Sequence, residues 1–222
     1  MRMLVNAAIV CTSIALHSVA SATPLFNIDF GNSKGSPAST YGAAAGQAGT
    51  WNTISTMGTV GALVDITGAT TGVSVTTSGS GFGNAADPKP LLGDMLWRSG
   101  GNWTVSFAGL TDGQYDIFYY APLHPMHLGD VTINGTTVDS MEGSIDTLVQ
   151  GTSWNVLQSV TVSGGVLNLA SGPVPPEGIQ YPWTGIAGLQ ITTATTPTAS
   201  EPGILGLLLI GGLLTVAVKR RS

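Results

Sequence analysis

Apolar and polar residues alternate over short stretches through most of the chain, the period-two pattern of half-buried strands. It is plain at Leu25–Phe30 (LFNIDF), at Trp103–Phe107 (WTVSF) and at Tyr115–Tyr120 (YDIFYY), the last entered through a Thr-Asp-Gly turn at Thr111–Gly113. Further strands are expected over Ala62–Ile66, Val73–Thr76, Val156–Val162, Val166–Leu169 and Gly188–Thr192. Val131–Ile133 and Thr136–Val138 flank Asn134-Gly135, a dipeptide that suits a two-residue hairpin turn because both positions take positive φ. No stretch between the ends of the chain repeats at helical spacing. Short strands, evenly spaced and separated by glycine-rich turns, predict an all-β fold, a jelly-roll-like β-sandwich, with a closed barrel as the alternative architecture.

The two ends break this pattern. Met1–Ala22 carries Arg2, then an apolar run from Leu4 to Leu16, then small residues at cleavage spacing ending at Ala20 or Ala22. That is the layout of a secretory signal peptide. The single cysteine, Cys11, falls inside it, so the remaining domain must hold together without disulfides. At the other end Gly203–Val218 is uncharged and is followed by Lys219, Arg220 and Arg221. As a helix it would extend about 24 Å, slightly less than a bilayer core of roughly 30 Å, and snorkelling of the basic residues could close the gap. The positive cluster would stay cytoplasmic, leaving the bulk of the chain on the exported side. A glycolipid-anchor signal would end in its apolar tail rather than in three bases.

Glu201-Pro202, a short Gly/Leu-rich helix and a Lys-Arg-Arg end resemble, in that order, the PEP-CTERM sorting tag of exported Gram-negative proteins, with Ser200 in place of the usual first proline. The resemblance implies recognition by an exosortase-like membrane protease and delivery to the surface or the extracellular polysaccharide. The expected organisation is a signal peptide (1–22), a β-sandwich domain (23–193), a Thr/Ala/Pro linker (194–199) and a sorting tag with a single transmembrane helix (200–222). The central domain itself resembles galactose-binding-like and malectin-like β-sandwich modules. The likeness rests on the early Asp29-Phe30-Gly31, on "GLTDGQYDIFYY" from Gly109 to Tyr120, and on "GIAGLQIT" from Gly185 to Thr192.

Charge narrows the function further. The domain's only cations are Lys34, Lys89 and Arg98 against a larger set of acids, so it lacks the basic footprint of nucleic-acid binding. No Gly-x-Ser-x-Gly elbow and no phosphate-cradling loop occurs, and Glu142 with Asp146 reads as loop acids rather than a glycosidase pair. An enzyme is therefore not expected; a structural or adhesive surface protein is. Carbohydrate binding is the alternative. Trp97 and Trp183, with Tyr181, lie in stretches that read as loops, where an exposed aromatic could stack on a sugar face. Trp103 and Trp154 read as core. His124, His127 and Asp130 are joined by no further signalled ligand, and Pro125 forbids the regular helix that would align the histidines, so no transition-metal site is expected. A structural calcium could use Asp29, Asp87 and Asp94, though their spacing does not single them out.

Overall fold

A computed structural model describes residues 25–84, 89–122, 130–138, 141, 148–172 and 183–194. Its strands in chain order are β1 (Phe26–Phe30), β2 (Trp51–Ile54), β3 (Gly58–Val60), β4 (Ser74–Ser78), β5 (Gly81–Asn84), β6 (Asp94–Ser99), β7 (Thr104–Ala108), β8 (Gly113–Tyr120), β9 (Val131–Ile133), β10 (Thr136–Val138), β11 (Trp154–Val162), β12 (Leu167–Ser171), β13 (Trp183–Ile186) and β14 (Gly188–Thr193). A single helical turn, α1 (Pro90–Gly93), precedes β6 and starts on a proline, whose missing N–H has no partner to lose there. The fold is all-β and sandwich-like. The described segments hold no helix long and apolar enough to cross a membrane. The segments expected to form a signal peptide, a linker beyond Ala194 and a sorting tag with its transmembrane helix lie outside the described residues.

A five-stranded sheet runs β11-β8-β14-β1-β2 and a six-stranded sheet runs β10-β9-β12-β7-β4-β3. All neighbours are antiparallel except β1 and β2, which run parallel. Alternation explains how the sheets meet. Phe26, Ile28 and Phe30 on β1, Ile117 on β8 and Ile191 on β14 pack in one cluster with Val105 and Phe107 on β7 and Leu167 and Leu169 on β12. These side chains are almost wholly removed from solvent. Burial of this kind stabilises by about 25 cal/mol for each Å² of apolar surface taken from water. A third sheet, β13-β6-β5, adds Leu96 and Ile186 to the same core.

The hairpin is as expected. β9 and β10 pair across Asn134 and Gly135, both at positive φ, and the Asn134 side chain donates to Thr161 O. The strand expected over Ala62–Ile66 is not formed. Only Val64 makes an isolated bridge, to Thr70, and Ala62 sits at φ 55°. The reason is local: Asp65 Oδ1 accepts the Thr67 and Ala69 N–H groups, folding the chain into a turn. Trp97 and Trp183 are corrected in the same way, since both lie on strands (β6 and β13) rather than in loops.

Candidate functional site

The two outward faces of the sandwich differ in composition. On the six-stranded sheet the register lines up Thr137, Thr132, Ala170, Thr104 and Ser78 in one row and Asn168, Ser106, Thr76 and Thr59 in the next. Neighbouring strands lie about 4.8 Å apart, so the rows are regular. Hydroxyls and amides bridge them: Thr59 to Thr76 at 2.8 Å, Ser106 to Asn168 at 2.7 Å and Thr132 to Thr137 at 3.2 Å. A depression of about 400 Å³ lies over Thr104, Ser106, Thr132 and Asn168. Neither row contains a charged or an aromatic residue, and most of their positions are exposed.

The outward face of the five-stranded sheet is covered instead. The segment before β2 and the turn of α1 lie over it, and Trp51, Leu91, Leu92 and Tyr120 form a second apolar cluster there. Its polar residues are tied into one network. The Gln190 amide donates to Asn27 Oδ1 at 2.9 Å and to Gly42 O and Gln47 O at 3.1 Å, and its oxygen accepts the Tyr120 hydroxyl and Ala45 N–H. Gln47 donates back to Asn27 Oδ1 at 2.9 Å, and Ala44 N–H donates to Tyr120 Oη at 3.0 Å. Burial pushes the Tyr120 phenol well above its ordinary range.

A third feature lies where β1, the turn after it and β6 meet. Asp29 points to the covered face, is 0% exposed, and neither carboxylate oxygen has a hydrogen-bond partner. Asp94, the first residue of β6, is equally buried. Its Oδ2 accepts Lys34 N–H at 2.9 Å and its Oδ1 accepts the Ser33 hydroxyl, which also touches Asn84 Oδ1. Gly31 brings the chain against Asp94: a Cβ there would sit 2.4 Å from Asp94 Cβ, and its φ of +117° suits glycine. Burial, and then the neighbouring Asp94, push the Asp29 carboxyl up to about 8. Asp29 and Asp94 are thus brought together as the sequence allowed; Asp87 lies outside the described residues.

The sugar-stacking candidates are less well assembled. Trp97 is half-buried, with its indole over the backbone of β5: a Cβ on Gly83 would meet Trp97 Cδ1 and Nε1 at 3.0 Å. Trp183 pairs with Ser99, two residues from Trp97. Tyr181 lies outside the described residues, as do His124, His127, Glu142, Asp146, Glu201, Pro202, Lys219, Arg220 and Arg221. Trp103 is fully buried, as expected, whereas Trp154 is half-buried and stacks on Phe118 at 5.7 Å on the covered side. Among the described residues no three His, Cys, Asp or Glu side chains converge as a metal cluster. Sequence reasoning missed the hydroxyl rows and the Gln190 network, although the Thr/Ser alternation of β4 and β7 marks the first. No protein-family model matches the chain, and no curated protein matches it.

Proposed function

We propose that the chain is an exported structural or adhesive protein, jelly-roll-like in topology, which an exosortase-like membrane protease sorts to the surface or extracellular matrix of a Gram-negative cell. It is held in the inner membrane by its C-terminal helix before sorting, and its partner once at the surface is extracellular polysaccharide. The observation that carries the reading is the uncharged double row of Thr, Ser and Asn on the six-stranded sheet. Such a face can exchange hydrogen bonds with sugar hydroxyls over a wide area, and it needs no charge match. Its role is mechanical rather than catalytic. The order Glu201-Pro202, apolar run, Lys219-Arg220-Arg221 supports the sorting half.

Both halves are testable. The intact mass of the protein from membrane and from culture supernatant is expected to show an external species that has lost both ends, starting near Ser21 or Thr23 and ending near Glu201. A protein found only in the membrane with Ser222 still attached refutes sorting. Co-sedimentation with the host's polysaccharide is expected to fall when Thr76→Val and Ser106→Ala are combined; unchanged retention refutes the docking face. The second reading, a carbohydrate-binding module using Trp97, Trp183 and Tyr181, is favoured by the β6–β13 register, which sets Trp183 two residues from Trp97. Glycan binding lost in Trp97→Ala but kept in the Thr76/Ser106 pair would select it.

A further inference from the structure

Two carboxylates are buried where β1 meets β6, and among the described residues no lysine or arginine forms an ion pair with either. Ser33 Oγ lies between Asp94 Oδ1 and Asn84 Oδ1, yet one hydroxyl proton can serve only one of them. Asp29, close enough to Asp94 for their charges to interact, has both oxygens unpartnered at zero exposure. A buried carboxylate in that state carries a large desolvation cost unless a proton or a metal ion neutralises it. The local chain supplies oxygens rather than nitrogens or sulfur, which suits a hard cation. Ser33 and Asn84 are exposed while Asp94, which Ser33 touches, is buried, so an ion could enter from solvent at the outer pair.

From this arrangement we infer that Asp29, Asp94, Ser33 Oγ and Asn84 Oδ1 form a site for one calcium-class divalent cation. Four side-chain oxygens of this kind, two of them carboxylate, leave the rest of a six- to eight-oxygen shell to water and backbone carbonyls. The ion joins two regions distant in sequence: β1 with the turn after it, and the end of β5 with the start of β6. It therefore fixes the three-stranded sheet, with Trp97, against the sandwich. The affinity belongs with that of extracellular modules, near 10⁻⁴–10⁻³ M, because only two ligands are charged. The inference does not depend on the function proposed above.

The test uses the full chain purified in mild detergent, stripped with EDTA and titrated with CaCl2 alone. One ion per chain is expected by calorimetry, with the thermal midpoint rising about 3–10 °C at 10 mM calcium. Asp29→Asn is expected to lose both the binding and the midpoint rise. Ser33→Ala changes an exposed side chain outside the apolar core, and it is expected to weaken binding several-fold. No heat of binding and the same midpoint in calcium and EDTA overturn the proposal. So does calcium binding of wild-type strength in Ser33→Ala together with Asp29→Asn. Should Asp29→Asn fail to fold, the wild-type titration and Ser33→Ala decide alone.

Discussion

Replacing Gln190 by leucine keeps roughly the same volume and removes every hydrogen bond of the covered face's central amide. What is left behind sets the magnitude. The Tyr120 hydroxyl, fully buried, loses its acceptor. Ala45 N–H and Gly42 C=O lose their partners too, but both are half-buried and can recover water in part. Asn27 and Gln47 keep each other. One orphaned buried donor costs about 1–3 kcal/mol and two half-exposed groups add a smaller amount, so Gln190→Leu is expected to destabilise by about 2–4 kcal/mol. For a domain of this size that is a fall of roughly 5–15 °C in the thermal midpoint. Urea unfolding followed by tryptophan fluorescence would measure it. A double-mutant cycle with Tyr120→Phe isolates the cause, because the phenylalanine removes the hydroxyl that Gln190→Leu strands. The double variant is expected to be more stable than the sum of the singles by about 1 kcal/mol. Strict additivity, or a single variant within about 0.5 kcal/mol of wild type, would refute the idea that the network acts as a unit.

Other outcomes follow from the same geometry. Phe107→Ala empties a fully buried position between the two large sheets and is expected to cost about 3–5 kcal/mol by denaturant unfolding. Gly31→Ala combines a positive φ with a Cβ driven into Asp94, so a loss of about 2–4 kcal/mol is expected, and Gly31→Ser should be no better. Gly135→Ala meets no atom within 4 Å, so only the backbone conformation is penalised and about 1 kcal/mol is expected; a larger loss would mean that the turn is packed. Asp65 is held below the ordinary carboxylate range, first by the Thr67 hydroxyl. A lowered folded-state pKa contributes stability above the unfolded value that is lost as pH falls through the folded one. Asp65→Ala should therefore flatten the acid limb of a stability–pH curve and leave the alkaline limb unchanged.

Alternation made β1, β7, β8 and the β9–β10 hairpin legible, because each exposes one face to the core and the other away from it. It could not say whether the face turned from the core meets water or another layer. Asn27, Asp29 and Gln190 fall on the polar side of that alternation, yet all three are fully buried. The cover is a segment with no hydrophobic period, so no sequence pattern announced it. β6 failed for the opposite reason. Asp94, Met95 and Leu96 are all buried, which erases the alternation, and flanking glycines gave the stretch the look of a loop. The Asp29–Asp94 pairing is a product of topology: each aspartate is ordinary in its own stretch, and only the packing of β6 beside β1 makes them neighbours.

The contrast between the two outer faces connects the fold to its use. A sandwich needs only its inner faces to fold, so each outer face is free to take another task. The five-stranded sheet spends its outer face on support: the apolar cluster around Trp51 and Tyr120 and the Gln190 network bind the long crossover from β1 to β2 onto the sheet. The parallel β1–β2 pair makes that crossover necessary, since parallel neighbours cannot be joined by a tight hairpin. The six-stranded sheet is antiparallel throughout, its described β3–β4, β9–β10 and β7–β12 pairs need no such cover, and its outer face stays open. Threonine there satisfies strand propensity and water together, which lets the face remain uncharged without becoming an apolar patch. A surface with those properties is suited to broad, weak, repeated contacts, which fits the polysaccharide partner we propose for it.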